Sequence, residues 1–381
     1  MSELRHVLMT GYPGFVAKPL LRRVLSQASR ARVTVIVEET RRADAEADLQ
    51  RLGVSERKRV RLAIGDVRKM DLGLAGLEID GLSDVTHLIH LAGIQSTDAP
   101  AALLDDVNVE GTRNALALAR EFKQLKRFVH FSSCFVAGDR QGVILEDELD
   151  EVPATRTAYE GSKLRGERLA RHAMAELPVT VIRPSIIVGD TRTGEVERLD
   201  GVYALAILIV TSPISVPLPL PGPGIAPLNL VPVDYLTQAV MHLTLDERAI
   251  GKVFHVVDPN PLAARHVYDL IATRAGKRPL PTMLAPTSLA GTLVSSLATA
   301  AARRVLRLPG IQRYARASQQ AVELFDRFVV YNAANTAALL EGSGIRCPRF
   351  DTYVDNLVAY VTNSLRRSRR TPPGESDPFD G

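Results

Sequence analysis

Cysteine is scarce in this chain of 381 residues, which holds only Cys134 and Cys347. Two thiols cannot build a disulfide framework, and they suit a reducing compartment. Cysteine and histidine fall at no spacing that would ligate a metal, so none is expected. No internal repeat is visible. Membrane-spanning character is missing too: residues 279–302 carry no charge, but Pro281, Pro286, Gly291 and several Ser and Thr residues make a poor span. Only Ser2 to His6 precede the first strand pattern, which leaves no room for a signal peptide, and the expected address is cytoplasmic. The net charge of +4 is spread along the chain and makes no case for nucleic acid. The one dense basic cluster, Arg366-Arg367-Ser368-Arg369-Arg370, runs into a proline-rich, acidic end, so residues 366–381 read as a disordered tail. With 46% hydrophobic and 24% charged residues, the composition is that of an ordinary globular protein with a sizeable core.

What is present begins at Val7-Leu8-Met9-Thr10-Gly11-Tyr12-Pro13-Gly14-Phe15-Val16-Ala17, an apolar strand entering a glycine turn and then a helix that starts near Phe15. Gly11 permits a sharp turn, and Gly14 lets the backbone approach a pyrophosphate. The helix start aims its unsatisfied N–H groups and positive dipole end at the anion. Ala17 stands where close helix–strand packing asks for Gly or Ala.

Strand patterns follow at Arg32–Val37, 60–64, 85–93, 128–133, 179–184 and 252–257, alternating with helical stretches such as 42–52 and one opening near Asp105. That alternation predicts an α/β fold, a doubly wound parallel sheet. Glu38 and Glu39 end the second strand, where a carboxylate binds a ribose 2′-OH; Arg41 and Arg42 stand close enough to offer a 2′-phosphate site instead. Both readings stay open. Asp66 follows the third strand, either as an acceptor for an adenine amino group or as a plain loop residue, and His90 reads as a packing residue at a strand end. Residues 211–230 are dense in proline and glycine and read as a loop over the strand ends. A helix is expected over 287–308, either lining a substrate site or lying on a membrane surface with the help of Arg303, Arg304 and Arg307.

The residues suited to chemistry are Ser133, Tyr159 and Lys163. Tyrosine and lysine four apart share a helix face, so the ammonium reaches the region of the phenol and is expected to lower its pKa from about 10. A serine at a strand end can hold a substrate oxygen. Cys134 beside it reads as packing.

Taken together, Thr10-Gly11-x-x-Gly14-Phe15, Asp66, Asn108 in Val-Asn-Val-Glu-Gly-Thr, Ser132-Ser133, Tyr159-x-x-x-Lys163 and Arg183-Pro184 resemble the extended short-chain dehydrogenase/reductase family, in that family's order. The resemblance implies a Rossmann fold with a smaller, mostly helical C-terminal substrate lobe. It makes Tyr159 the proton donor or acceptor, Lys163 its electrostatic partner and ribose ligand, and Ser133 the clamp on the carbonyl oxygen. Cofactor contacts are then expected from Thr10, Gly11, Tyr12, Pro13, Gly14, Phe15, Val16, Glu38, Arg41, Arg42, Asp66, Val67, Leu91, Ala92, Gly93, Asn108, Lys163, Pro184, Ser185 and Ile187.

Within the family, Lys18-Pro19-Leu20-Leu21, Phe135-Val136-Ala137-Gly138-Asp139-Arg140, the run from Arg183 to Asp190 and Pro232-Val233-Asp234-Tyr235 look most like the fatty acyl-CoA and thioester reductase branch. This implies reduction of a lipid-like carbonyl, a CoA or carrier-protein thioester, with NADP(H) preferred over NAD(H). The chain departs from the branch at Glu38, where its NADPH-dependent members usually carry a basic residue. No adenylation or carrier domain is seen alongside it, so the thioester is expected to arrive from elsewhere. The alternatives are a hydroxysteroid-type dehydrogenase or an NAD-dependent sugar-nucleotide epimerase or dehydratase, and then a non-catalytic dinucleotide-binding regulator. The expected division is 1–190 plus about 230–258 for the dinucleotide domain and 191–229 plus 259–365 for the substrate lobe. Contact with a membrane surface and oligomerisation are secondary expectations.

Overall fold

The computed structural model describes residues 3–96, 99–149, 154–196, 202–211, 224–277 and 327–368. The chain divides into two compact units, 1–185 with 233–257 and 331–346, and 186–232 with 258–330 and 347–381.

The first unit is built on seven parallel strands: β1 (His6–Thr10), β2 (Arg32–Val37), β3 (Val60–Ile64), β4 (His87–His90), β5 (Arg127–Phe131), β6 (Val179–Pro184) and β7 (Lys252–Val256). Their order is β7-β6-β5-β4-β1-β2-β3. The chain winds outward from β1 to β3, then restarts at β4 and winds the other way. A crevice therefore opens at the carboxyl ends of β1 and β4, the place where doubly wound sheets bind ligands. Every residue of β1, β5 and β6 is buried, polar ones such as Arg127, His130 and Arg183 included, as in parallel strands covered on both faces.

Helix α1 (Ala17–Gln27) buries Ala17, Leu20, Leu21, Val24 and Leu25, an apolar stripe at helical spacing. Helix α2 (Gly111–Glu121) is preceded by a helix Ala101–Asp105 and a π-helical turn Asp106–Glu110, so the helix expected to open near Asp105 starts earlier and is wound more loosely through Asn108. Helix α3 (Ala158–His172) starts where the Thr157 side chain accepts from the Glu160 N–H at 3.2 Å and the Glu160 carboxylate accepts from the Arg156 N–H at 2.7 Å.

The second unit packs the helices Val202–Thr211, Ala264–Arg274 and Val354–Ser368 around a core that includes Ile207, Tyr268, Phe350 and Leu357. Two small ladders join it. Ile186–Val188 runs parallel to Leu230–Pro232, and Pro227–Leu228 antiparallel to Leu262–Ala263. Gly194 has φ +68°, and a Cβ there would collide with the Asn356 carbonyl oxygen.

Several sequence expectations are corrected. Residues 331–346 belong to the first unit, not the substrate lobe, because the buried Glu146 carboxylate accepts from the N–H groups of Asn335 and Thr336 and from the Thr336 hydroxyl. The unit boundaries fall at 185/186 and 232/233 rather than near 190 and 230. Arg366, Arg367 and Ser368 are the last turn of a helix, where basic side chains complement the dipole, not the start of a tail. Within 211–230, Thr211 closes a helix and two short strands are formed despite the prolines. Residues 212–223, the helix expected at 287–308 and residues 369–381 lie outside the described residues. No helix among the described residues is long and apolar enough to cross a membrane.

Candidate active site

The turn after β1 is closed to side chains. Gly11 has φ +80°, and a Cβ on it would lie 2.6 Å from the Ala92 nitrogen; one on Gly14 would lie 2.7 Å from the Gly11 oxygen. The Gly14 N–H donates to that oxygen at 2.9 Å. No side chain caps the N-terminus of α1, which begins at Ala17 rather than Phe15; its Lys18 N–H donates to the Gly14 carbonyl at 3.1 Å, so the turn and the helix start form one backbone cradle. This cradle fits a pyrophosphate. Of the side chains around it, Thr10 is committed to the fold: its Oγ1 accepts from the Ala92 N–H at 3.1 Å and bonds His90 Nδ1 at 2.9 Å. Tyr12 turns its hydroxyl to Asp48 at 2.7 Å, leaving the Tyr12-Pro13 segment to act through its backbone. His90 is buried against His130, with ring centroids 6.0 Å apart, as a packing residue.

Asn108 joins the crevice to α3. Its Oδ1 accepts from the Ile94 N–H at 2.8 Å, and its Nδ2 donates to the Ile94 carbonyl at 3.1 Å and to Ser162 Oγ at 2.9 Å. Leu91, Ala92 and Gly93, just past β4, are partly exposed. A Cβ on Gly93 would lie 3.1 Å from Asn108 Oδ1 and 3.2 Å from Lys163 Nζ, so the crevice floor and the helix meet there. Gly166 allows this approach, since a Cβ on it would lie 2.6 Å from the Asn108 carbonyl oxygen.

Ser133, Tyr159 and Lys163 come together at the carboxyl end of β5. All three are buried. Lys163 Nζ donates to the Phe131 carbonyl at 2.8 Å, which pins the ammonium at the strand end. Burial draws its pKa down to about 8, with the Glu167 charge opposing. Tyr159 moves the other way from the sequence expectation: burial pushes its phenol up to about 12, opposed by a hydrogen bond with Ser133. In this structure desolvation is the dominant cause. Cys134 is buried and its thiol donates to the Arg183 carbonyl at 3.2 Å. Its pKa is pushed up by burial, and it is inert packing.

Beneath these residues lies a network that sequence reasoning missed. Glu167, fully buried, accepts from Arg183 Nη2 at 2.7 Å, from Arg171 Nε at 2.9 Å and from the Ser132 hydroxyl. Arg183 also donates to the Glu148 carbonyl at 2.9 Å. The spacing Tyr159, Lys163, Glu167 puts all three on one face of α3, and that spacing is the signal that could have found Glu167.

At the carboxyl edge of β2 and β3, Glu38 is exposed just past β2, and Arg42 is taken up by Glu46 at 2.9 Å and Glu39 at 3.7 Å. Asp66 is not waiting with a bare carboxylate. Arg68 donates to it from Nε and Nη2 at 2.8–3.1 Å, and this holds the Asp66 pKa low against burial. Val67 packs under Gly111, and its carbonyl accepts from Asn114 Nδ2 at 2.9 Å. Pro184 and Ser185 are buried at the end of β6, whereas Ile187 lies in the second unit, paired with Val231.

The family model described as Male sterility protein, an NAD-binding family, matches residues 9–240. The chain is 26% identical to the terminal R domain from the myxalamid PKS-NRPS biosynthetic pathway, whose crystal structure superposes with a TM-score of 0.79 over 96% of this chain and 92% of that one. It is 27% identical over 296 residues to a linear gramicidin synthase of Brevibacillus parabrevis, covering 72% of this chain and 6% of the relative. Against fatty acyl-CoA reductase wat of Drosophila melanogaster it is 23% identical over 273 residues, covering 62% of this chain and 53% of the relative. The chain therefore spans from a small fraction to about half of the length of these two curated relatives.

Proposed function

Since the chain belongs to the Male sterility protein family, NAD(P)-dependent oxidoreductases of the extended short-chain dehydrogenase/reductase type, we propose that it reduces an acyl thioester to the aldehyde or alcohol. The observation that carries this reading is the grouping of Ser133, Tyr159 and Lys163 at the strand end, beside a glycine cradle suited to a pyrophosphate. The substrate class is supported by its similarity to a fatty acyl-CoA reductase and to the terminal R domain of a PKS-NRPS pathway. A lipid-like acyl group on CoA or on a carrier protein fits that class, and NADPH is the favoured reductant.

The residues that would hold the dinucleotide are the backbone of 11–16 for the pyrophosphate, Glu38 and Asp66 for the adenosine, and Lys163 with Asn108 for the nicotinamide ribose. When bound, the nicotinamide supplies a hydride to the carbonyl carbon. Ser133 donates to the carbonyl oxygen and holds it still. Tyr159, whose phenol stays protonated at neutral pH, gives its proton to the developing alkoxide, and the Lys163 cation stabilises the phenolate left behind. The resulting hemithioacetal becomes the aldehyde when its C–S bond breaks and the CoA or carrier thiol leaves with the hydroxyl proton; the alcohol requires a second hydride from a second reduced dinucleotide. Burial makes that electrostatic help stronger than it would be in water.

The test is oxidation of NADPH and of NADH, side by side, with acyl-CoAs of graded length, acyl carrier thioesters, fatty aldehydes, ketosteroids and sugar nucleotides. Turnover of thioesters, faster for longer chains, is the expected result. Turnover of sugar nucleotides alone would overturn it.

A further inference from the structure

We propose that Arg68, on the loop after β3, is the residue that binds a 2′-phosphate on the adenosine ribose, while Glu38 across from it accepts from a 2′-hydroxyl. The inference rests on the dinucleotide reading above and adds to it the residue that decides between the two cofactors.

The sheet brings the two side chains together. Strands β2 and β3 are parallel, with Val37 opposite Ile64, and the Gly65 N–H donates to the Val37 carbonyl at 2.9 Å. Glu38 and the segment 65–68 therefore leave the sheet side by side at its carboxyl edge. Arg68 is held there by Asp66: its Nε and Nη2 grip the carboxylate at 2.8–3.1 Å, and its own N–H donates to the same group at 3.0 Å. A guanidinium carries five donors in a rigid fork. Asp66 uses one edge and orients the plane, leaving the Nη1 edge for another anion.

The groups around Arg68 are acidic. After Asp66, the carboxylates of Glu38 and Asp106 also act on the Arg68 cation, which places all three acidic groups around it. The Arg68 cation offsets part of the repulsion that these carboxylates exert on an incoming phosphate, so the phosphate depends on direct contact with the guanidinium edge that Asp66 leaves open. Of the basic residues next to Glu38 in sequence, Arg42 pairs with Glu46 and Glu39. A hydrogen bond to a charged group is worth about 1.5–3 kcal/mol, roughly a tenfold to hundredfold change in affinity.

Calorimetric titration of the full chain with 2′,5′-ADP and with 5′-AMP tests this without any turnover. Arg68→Ala is expected to weaken 2′,5′-ADP at least tenfold and 5′-AMP much less, and Arg68→Lys to recover part of the loss. Glu38→Gln should tighten 2′,5′-ADP. The proposal is overturned if Arg68→Ala binds 2′,5′-ADP like the wild type, or if it loses both ligands equally, which would make Arg68 only a prop for Asp66. It is overturned as well if the affinity for 2′,5′-ADP is lost in the Arg41→Ala, Arg42→Ala double variant instead. Failure of the wild type to bind either nucleotide would remove the dinucleotide reading itself, and the assignment with it. Unchanged thermal unfolding of Arg68→Ala, expected for a half-exposed side chain, separates these results from misfolding.

Discussion

The Glu167 carboxylate and the Arg183 guanidinium meet at 2.7 Å with neither side chain exposed to solvent. Glu167 sits one helical turn beyond Lys163 on α3, and Arg183 sits in β6 just before Pro184 and Ser185. Their contact, with the Ser132 hydroxyl on the same carboxylate, ties together the three elements that carry the candidate site. Removing one partner of a buried pair typically costs about 3–5 kcal/mol, since the other is left as an unpaired buried charge. Glu167→Gln should destabilise the fold by an amount of that order. Burial would raise the Glu167 pKa, but Arg183 and its other partners hold it at about 2, below its ordinary 4.5. A depressed carboxylate stabilises the fold above its unfolded pKa, and that contribution is lost as pH falls through the folded value. Denaturant unfolding at pH 7 and at pH 3 should show the deficit of the variant shrinking in acid.

Tyr159→Phe is expected to lower kcat by about 10²- to 10⁴-fold, the usual contribution of a positioned acid or base. Nucleotide affinity should hold, because the ring and its packing remain. Full turnover in this variant would remove Tyr159 from the reaction.

The pH dependence of kcat/KM separates Lys163 from Tyr159. With burial holding Lys163 at about 8 and pushing Tyr159 up to about 12, only the lysine changes charge in the working range. Activity that depends on the ammonium falls as pH rises through about 8. Lys163→Arg, which stays protonated, should be slower and lack that basic limb. A limb that persists unchanged in Lys163→Arg would assign it to another group.

At Gly11 the positive φ and the 2.6 Å approach to Ala92 act together. Gly11→Ala should cost about 1–3 kcal/mol in stability and abolish 5′-AMP binding. Gly76→Ala, with nothing within 4 Å of its added Cβ, serves as the neutral control in both thermal unfolding and titration.

The sheet was legible because its strands are short apolar runs separated by helices of clear period. The tight glycine turn after β1 was legible because its glycines have few other uses at that place. Contacts between distant residues were not. Glu146 gathers 335–336 into the first unit across about half the chain, which no local pattern announces. Arg68 stands two residues from Asp66 in a loop with no periodicity, so its grip on that carboxylate had no signal. The rise of the Tyr159 pKa was missed for a related reason: the Tyr-x-x-x-Lys spacing gives proximity, while burial depends on everything packed around it.

Asp71 and Leu72 both hold left-handed backbone, with φ of 53° and 57°, and Leu72 is fully buried. Conformations of this kind cost a non-glycine residue about 1–3 kcal/mol each, so the loop keeps its course only while the Leu72 side chain stays anchored. The Leu72 carbonyl accepts from the Asp66 N–H at 2.7 Å, which passes that anchorage to the carboxylate and on to Arg68. For redesign this separates two kinds of edit. Side chains at 38 and 68 can be exchanged on an unchanged frame. Any change to the backbone at 71–73 shifts the Asp66 carboxylate and the Arg68 guanidinium in one move.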